Sequence, residues 1–316
     1  MRRDPFFRLS IVALTAVLSG GCGAKAPRPA PPRASVASVP VAKAPDDFLR
    51  TFAVTSGFKR GTPERATPTP DGAAVLFLRS GPREPTLALY EMNLLSREVK
   101  EIASAERLLA EPETLSVEEK ARRERMRVSG RGITDFEIDP AGARVLFTLS
   151  GRIFLLDRAT QSARPLATPS PVIDARWSPD GTRIGYVRGH DLYVMDAKSG
   201  RETAVTKGGT ETKSFGVAEF VAQEELSRTR GYWFSPAGDA MLYAEVDTTD
   251  VERLKIVDPG RPERDPVRFA YPRAGKANAS VRLHLVRLEG AAPTITRPTL
   301  VDWDAKAFPY LATARG

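Results

Sequence analysis

The sequence predicts an all-β fold, because one turn pattern followed by a short strand returns four times along the chain. Each turn has proline at its second position and glycine at its fourth, and a strand-forming triplet begins three residues after the glycine. Proline fits the second position of a β-turn, and glycine adopts backbone angles that other residues resist. Repeated units of several short strands are typical of a β-propeller, and an irregular β-sandwich with coincidental turns is the alternative. The four copies occupy residues 69–72, 139–142, 178–181 and 235–238.

The spacing of the turn prolines separates a bare repeat from repeats with insertions. The prolines at 70, 140, 179 and 236 are 70, 39 and 57 residues apart, and a propeller blade takes about 40–50 residues. The shortest step therefore matches a bare blade, and the other two steps carry extra chain. Residues 46–316 would then supply about five to six blades of a partial propeller. Because repeat proteins load extra chain onto one face, function is expected in the two insertions.

The positive charge of the chain is concentrated at its N-terminus. The sequence has 47 Lys and Arg against 39 Asp and Glu, for a net charge of +8. Of this, +6 lies in residues 1–45, which leaves only +2 for residues 46–316. A nearly neutral body argues against a nucleic-acid partner.

The cysteine and histidine content argues against metal chemistry. A single cysteine excludes an intramolecular disulfide framework and a Cys-rich zinc site. The two histidines, His190 and His284, are far apart in sequence, and we expect both to be ordinary strand residues. Neither a metal nor another cofactor is therefore expected.

The first 45 residues have the pattern of an export signal followed by a tether. Residues 1–21 combine a basic start, a short apolar run and small residues, which is typical of a bacterial signal peptide of the lipoprotein type. Cys22 then resembles a lipidation site, and the alternative is a plain secreted protein. Residues 22–45 are rich in Pro and Ala and predict a disordered tether. We expect an exported lipoprotein, periplasmic or anchored at the outer membrane, that touches the membrane only through its lipid.

The first insertion predicts one short helix. Ser116 and Glu119 form a capping box, and the charged residues that follow are good helix formers. Gly130 and Gly132 would end the helix before a strand at residues 133–138. Periodicity alone favours a solvated surface helix with i,i+4 ion pairs.

The second insertion contains two adjacent carboxylates among apolar residues, Glu224 and Glu225. They either begin a helix or bind one cation together. Both insertions end 11 to 15 residues before a turn proline. The repeat phase therefore predicts that the basic helix and the acidic pair emerge on the same edge of the propeller, around one cavity mouth.

Four ordered motifs resemble those of the dipeptidyl peptidase IV family, and the resemblance covers roughly residues 50–310. They are similar to its arginine-bearing helix, its double-glutamate motif, the strand that follows it and its Tyr-Pro-Lys-Ala-Gly-x-x-Asn stretch. Phe220, Gln223 and Ala279 stand where the family commonly has Trp, a third Glu and Pro. In that family a propeller of about eight blades precedes an α/β-hydrolase domain with a Ser-Asp-His triad. The motifs lie at residues 118–134, 220–225, 231–236 and 271–278.

The resemblance implies the roles of the site residues. Glu224 and Glu225 would bind the free N-terminal ammonium of a peptide substrate, and Arg125 would bind the peptide carbonyl oxygens, with Arg123 and Arg127 as rivals. No catalytic residue is expected, because a Gly-x-Ser-x-Gly nucleophile motif occurs nowhere in the 316 residues. A homodimer is compatible with the resemblance.

Two functions follow as expectations. The first is a substrate-gating propeller of a dipeptidyl peptidase IV-like serine peptidase, incomplete at its C-terminus and lacking the peptidase domain, so that the chain alone is inactive. The second is a non-enzymatic propeller lipoprotein that binds peptides or partner proteins.

Overall fold

The structure of the protein is a computed structural model that describes residues 47–290 and 293–314. Residues 46–316 form one compact unit. The signal-peptide segment, Cys22 and the Pro/Ala-rich segment lie outside the described residues, so these assignments stay predictions. None of the helices in the described part is long and apolar enough to cross a membrane. The helices are α1 (Asp47–Val54), α2 (Ala105–Leu108), α3 (Val117–Arg125) and α4 (Phe220–Glu224).

Three of the sheets contain an antiparallel meander of four strands, to which blade 1 adds a fifth, parallel strand, and we call them blades 1 to 3. Blade 1 contains β1 (Glu64–Pro68), β2 (Ala74–Ser80), β3 (Thr86–Asn93) and β4 (Val99–Ala103), and β5 (Arg131–Gly132) pairs in parallel with β3. Blade 2 contains β6 (Glu137–Ile138), β7 (Arg144–Leu149), β8 (Arg152–Asp157) and β9 (Ser162–Pro165). Blade 3 contains β10 (Ile173–Trp177), β11 (Arg183–Arg188), β12 (Asp191–Asp196) and β13 (Glu202–Ala204).

The fourth sheet, blade 4, has a first strand in two pieces. Both β14 (Lys213–Phe215) and β15 (Tyr232–Phe234) pair with β16 (Ala240–Asp247). The chain then forms a separate hairpin of β17 (Arg253–Ile256) and β18 (Val267–Ala270). Blade 4 is completed by β19 (Ser280–Glu289), β20 (Thr294–Ile295) and β21 (Thr299–Val301).

The all-β repeat that the sequence predicts is confirmed. Each of the four turn copies connects the strand that enters it to the next strand of the same blade, and each turn glycine has a positive φ between 68° and 73°. The described residues form four blades, fewer than the five to six expected. The expected number of blades was too high because two stretches of chain form other structures. These are the β17–β18 hairpin and the helical insertion before blade 2.

Two local predictions are wrong. The strand expected at residues 133–138 is reduced to β6, because Gly132 belongs to β5 and pairs with blade 1 instead. His190 lies in the tight turn between β11 and β12 with a φ of 70°, not in a strand, whereas His284 lies in β19 as expected.

Apolar side chains pack between adjacent blades. Leu76 and Leu89 of blade 1 belong to one cluster with Phe147 of blade 2, and all three are at most 2% exposed. Blades 2 and 3 share a second cluster, and blades 3 and 4 share a third. Each interface therefore buries apolar area of its own, which stabilises the stack of neighbouring repeats.

Arginine side chains connect successive turns across the blade interfaces. Arg144, at the start of β7, donates from Nη2 to the carbonyl oxygen of Gly181 in the next turn, at 3.0 Å. Arg183, at the equivalent position of blade 3, donates to the carbonyl oxygen of Gly238 and, at 2.7 Å, to that of Gly290. Each guanidinium thus satisfies carbonyl groups of the neighbouring blade that water reaches poorly.

Replacement of Arg183 by methionine tests this contact. Arg183→Met would leave the Gly238 and Gly290 carbonyl groups without their donor, and we expect the free energy of unfolding to fall by about 2–4 kcal/mol. Urea denaturation of the full chain measures the change. Arg201→Met, at an exposed arginine of the same blade, is the matched control. Equal stability of the two variants would contradict the role of the Arg183 contact.

Candidate functional site

The first insertion forms α3, and buried ion pairs hold this helix. Ser116 Oγ accepts from the Glu119 amide at 3.1 Å, as the capping box predicts. Arg123 donates from Nε to Glu119 at 2.8 Å and from Nη2 to Glu113 at 2.9 Å, and Arg123 is only 5% exposed. The helix is therefore partly interior rather than a fully solvated surface helix. Sequence periodicity missed this because Glu113 precedes the helix.

A second set of charges attaches α3 to the blades. Arg122 Nη2 lies 3.3 Å from Asp174 Oδ1, which also accepts from Arg176 at 2.6 Å. Asp174 has a left-handed backbone, with a φ of 54°, where the register of β10 shifts, and its backbone oxygen accepts from Tyr232 Oη at 2.6 Å. Burial opposes the charge of Arg176, yet Asp174 and Glu137 raise the pKa of Arg176 above its ordinary value. Asp174 thus connects α3 with blades 3 and 4.

The second insertion leaves blade 4 between β14 and β15. Its neck is closed by a bridge between Val217 and Arg230. The Glu219 carboxylate caps α4, since it accepts from the amides of Val221 and Ala222 at 2.6 and 2.7 Å. The double-glutamate segment therefore has a fixed N-terminal end.

Glu224 is the last residue of α4, and Glu225 directly follows it. Glu224 is half-buried, and Glu225, at the C-cap, is exposed. Within residues 47–290 and 293–314, neither carboxylate has a hydrogen bond or an ion pair. Both acids are therefore free to accept from a ligand.

Two distant segments support α4. Phe220 packs edge-on against Tyr271 with ring centroids 5.0 Å apart, so the Tyr-Pro motif contacts the double-glutamate helix. Arg228 donates from Nε to the Leu311 carbonyl oxygen at 2.8 Å and lies 3.9 Å from Glu219. The Arg228 contact could not be predicted from the sequence, because its partner is a backbone atom 83 residues away.

The two insertions meet at Arg125. Its Nε donates to Gln223 Oε1 at 2.6 Å, although the two residues are 98 positions apart. Burial lowers the pKa of Arg125, and the Glu224 carboxylate opposes this effect. Of the two rivals, Arg123 is occupied by its ion pairs, and Arg127 is exposed with a left-handed φ of 55° and lines a different cavity. Arg125 is the arginine of the three that the structure places beside α4.

A cavity of about 540 Å³ lies where the insertions meet. Gln223 lines it together with charged side chains of both signs, and Glu224 and Glu225 are not among its lining residues. The charged lining residues are Glu118, Arg122, Arg125, Asp174, Arg188 and Glu211. His190 also lines the cavity, which no pattern in the sequence predicted. The apolar contributions come from α3, from the loop before β10 and from blades 3 and 4: Val117, Ala121, Pro171, Ile173, Val187 and Val217.

The different roles of Arg123 and Arg125 can be tested by stability. Arg123→Met would remove the cation that hydrogen-bonds to both buried carboxylates, Glu113 and Glu119, and we expect a loss of about 3–5 kcal/mol in the free energy of unfolding. Arg125→Met should lower it by only about 1–2 kcal/mol, because Arg125 makes one hydrogen bond, to the buried Gln223 amide oxygen, and its burial opposes its charge. Urea denaturation of both variants gives the comparison. Similar losses for the two would show that Arg125 also maintains the fold.

Comparisons with known proteins identify related sequences. A family model described as the dipeptidyl peptidase IV (DPP IV) N-terminal region matches residues 142–315, more than half of the chain. Dipeptidyl peptidase 8 of Mus musculus is 27% identical over 275 residues, which cover 76% of this chain and 30% of that protein. Dipeptidyl peptidase 4 of Arthroderma otae is 29% identical over 185 residues, covering 52% of this chain and 23% of that protein.

A solved structure shows the same fold. The crystal structure of Porphyromonas gingivalis dipeptidyl peptidase 4 superposes with a TM-score of 0.60 at 19% identity, over 83% of this chain and 35% of that chain. The chain thus spans less than a third of the length of these two curated relatives. The repeated blades, the two insertions and the family match together show that this chain belongs to the dipeptidyl peptidase IV N-terminal region family.

Proposed function

We propose that this chain is the substrate-gating, N-terminus-recognising propeller of a dipeptidyl peptidase IV-like serine peptidase, which releases N-terminal dipeptides. The α/β-hydrolase domain with the catalytic triad would lie outside these 316 residues. The observation that supports the proposal is the hydrogen bond between the two insertions, from Arg125 to Gln223, the residue that directly precedes Glu224 and Glu225.

The chemistry of this group suits a peptide N-terminus. An ammonium group has three donors and no acceptor, and two carboxylates can both accept from it and neutralise it. An α-amino group has a pKa of about 7.7–8.0, so most peptide is charged at neutral pH. The Arg125 guanidinium would donate to the peptide carbonyl oxygens and reduce repulsion between the two acids.

Such a site would also act as a gate. A peptide whose N-terminus is fixed at one end of a cavity can extend only a set distance beyond it. The position of the scissile bond then follows from the number of residues between the ammonium and the nucleophile, and two residues are counted without recognition of the remaining chain.

Location and assembly are further proposals. The signal-like start and Cys22 support export to the periplasm or the outer membrane as a lipoprotein. A homodimer is supported by the exposed apolar side chains on and beside the β17–β18 hairpin, where Ile256, Val257 and Val267 are 55–63% exposed.

Peptide binding by the full chain tests the proposed function. We expect Ala-Pro-Ala to bind at pH 7 and its N-acetylated form to bind at least about ten-fold more weakly, because acetylation removes the ammonium charge. Glu224→Gln or Glu225→Gln should weaken binding of the free peptide by about ten-fold each. Binding should also weaken as the pH rises above about 8, where the α-amino group loses its proton. Isothermal titration calorimetry measures each dissociation constant.

The matched control is Glu106→Gln, at an exposed glutamate of α2 that does not line the cavity. It should leave the affinity for Ala-Pro-Ala unchanged. Equal affinity for the free and acetylated peptides would contradict the proposed recognition of the N-terminus.

Catalysis by the chain alone is a separate question. We expect the purified 316-residue chain not to cleave a chromogenic X-Pro substrate, because no nucleophile motif occurs in its sequence. Turnover that a serine-directed inhibitor abolishes would show that a nucleophile had been overlooked. The coding sequence beyond codon 316 separates the two functions: a continuing frame with Gly-x-Ser-x-Gly supports the peptidase, and a stop supports a non-enzymatic peptide-binding lipoprotein.

A further inference from the structure

We propose that Gln223 is a positioning and specificity-determining residue, which orients the Arg125 guanidinium and, because it is uncharged, adapts the site to a peptide whose first side chain carries no positive charge. This inference rests on the proposed function, since it concerns the ligand of the same site.

Both the oxygen and the nitrogen of the Gln223 side-chain amide form hydrogen bonds. Its Oε1 accepts from Arg125 Nε at 2.6 Å, and its Nε2 donates to the Ala218 carbonyl oxygen. This orientation of the amide is required chemically, because a guanidinium has only donors and a carbonyl oxygen only accepts. Gln223 is 8% exposed, so water competes little for either bond. The side chain is therefore a fixed connector between the start of the second insertion and α3.

The contact leaves the outer part of Arg125 available. Only Nε is hydrogen-bonded, and among the described residues Nη1 and Nη2 have neither a hydrogen-bond partner nor an ion-pair partner. These two nitrogens carry four N–H donors. A guanidinium whose Nε is held has lost part of its rotational freedom before a ligand arrives, so less entropy is lost when its terminal nitrogens bind carbonyl oxygens.

The neutral amide also sets the charge of the site. With residue 223 uncharged, this segment of α4 contributes the two negative charges of Glu224 and Glu225. A glutamate at this position would add a third negative charge next to them. Its two oxygens could also bind the guanidinium at both ends and occupy donors that the ligand needs. Glutamine supplies the acceptor without either effect.

A double-mutant cycle tests the positioning role, with calorimetric binding of Ala-Pro-Ala to the full chain as the measurement. Gln223→Leu removes the acceptor at nearly constant volume, and we expect it to weaken binding about ten-fold when Arg125 is present. In the Arg125→Met background, the same change should weaken binding less than two-fold. Lys120→Met, at an exposed cation of the same helix, is the control for loss of charge.

Specificity is tested with Gln223→Glu, which retains an acceptor. We compare two peptides of similar size, Lys-Pro-Ala and norleucine-Pro-Ala, which differ by one positive charge. The added carboxylate should raise the affinity for the lysine peptide relative to the norleucine peptide by about five-fold over the unmodified chain. An unchanged ratio contradicts the charge role of Gln223.

A readout without ligand separates this inference from the proposed function. The Arg125 Nε–H signal in ¹⁵N NMR spectra of the free chain should exchange slowly with water, and Gln223→Leu should make it exchange at least about ten-fold faster. Slow exchange in both proteins contradicts the positioning role. If the unmodified chain binds no peptide, the proposed function is wrong, even where the NMR result supports the hydrogen bond. If Gln223→Leu weakens binding equally in both Arg125 backgrounds and lowers the thermal midpoint, the role of Gln223 is structural.

Discussion

The packing of each turn against the turn of the preceding blade is the constraint on which the rest of the fold depends. A Cβ atom on Gly142 would lie 3.0 Å from Pro70 Cδ, and one on Gly181 would lie 3.1 Å from Pro140 Cδ. The proline and glycine of the repeat are therefore interface residues as well as turn residues. Arginine donors then satisfy the turn carbonyl groups at the same interfaces. The angle between neighbouring blades is fixed at one end of the strands by contacts that tolerate almost no added volume.

This constraint leaves the other end of the strands free to carry the site. Both insertions enter upstream of a strand that leads into a turn, β6 for α3 and β15 for α4. Because the blades between them are held in register, two segments 98 residues apart can meet with hydrogen-bond accuracy. Asp174 strengthens this arrangement, since its side chain binds α3 while its backbone oxygen binds blade 4. The site therefore depends on blade stacking rather than on the insertions themselves.

The sequence predicted those structural features that are determined by residues close together along the chain. The four turns, the Ser116 cap and the helical character of the first insertion depend on residues within five positions of each other, and each leaves a readable pattern. The Arg123–Glu113 pair, the left-handed Asp174 and the Gln223–Arg125 contact could not be predicted in the same way. Each depends on groups that only the folded chain brings together, and none has a periodic trace. His190 was misassigned because the residues around it favour a strand, whereas Gly189 allows a tight turn.

At the neck of the second insertion, the hydrogen bonds of blade 4 continue from β14 to β15. Ala244 in β16 bonds Gly216 through its carbonyl oxygen and Gly231 through its amide, so the sheet continues across the gap between β14 and β15. A Cβ on Gly231 would lie only 2.3 Å from Gly216 and Val217 backbone atoms, so glycine is what lets the two sides of the neck touch. The sheet hydrogen bonds of blade 4 thus continue past the insertion without a contribution from residues 218–229. A change of length or charge within that segment would leave these sheet hydrogen bonds in place.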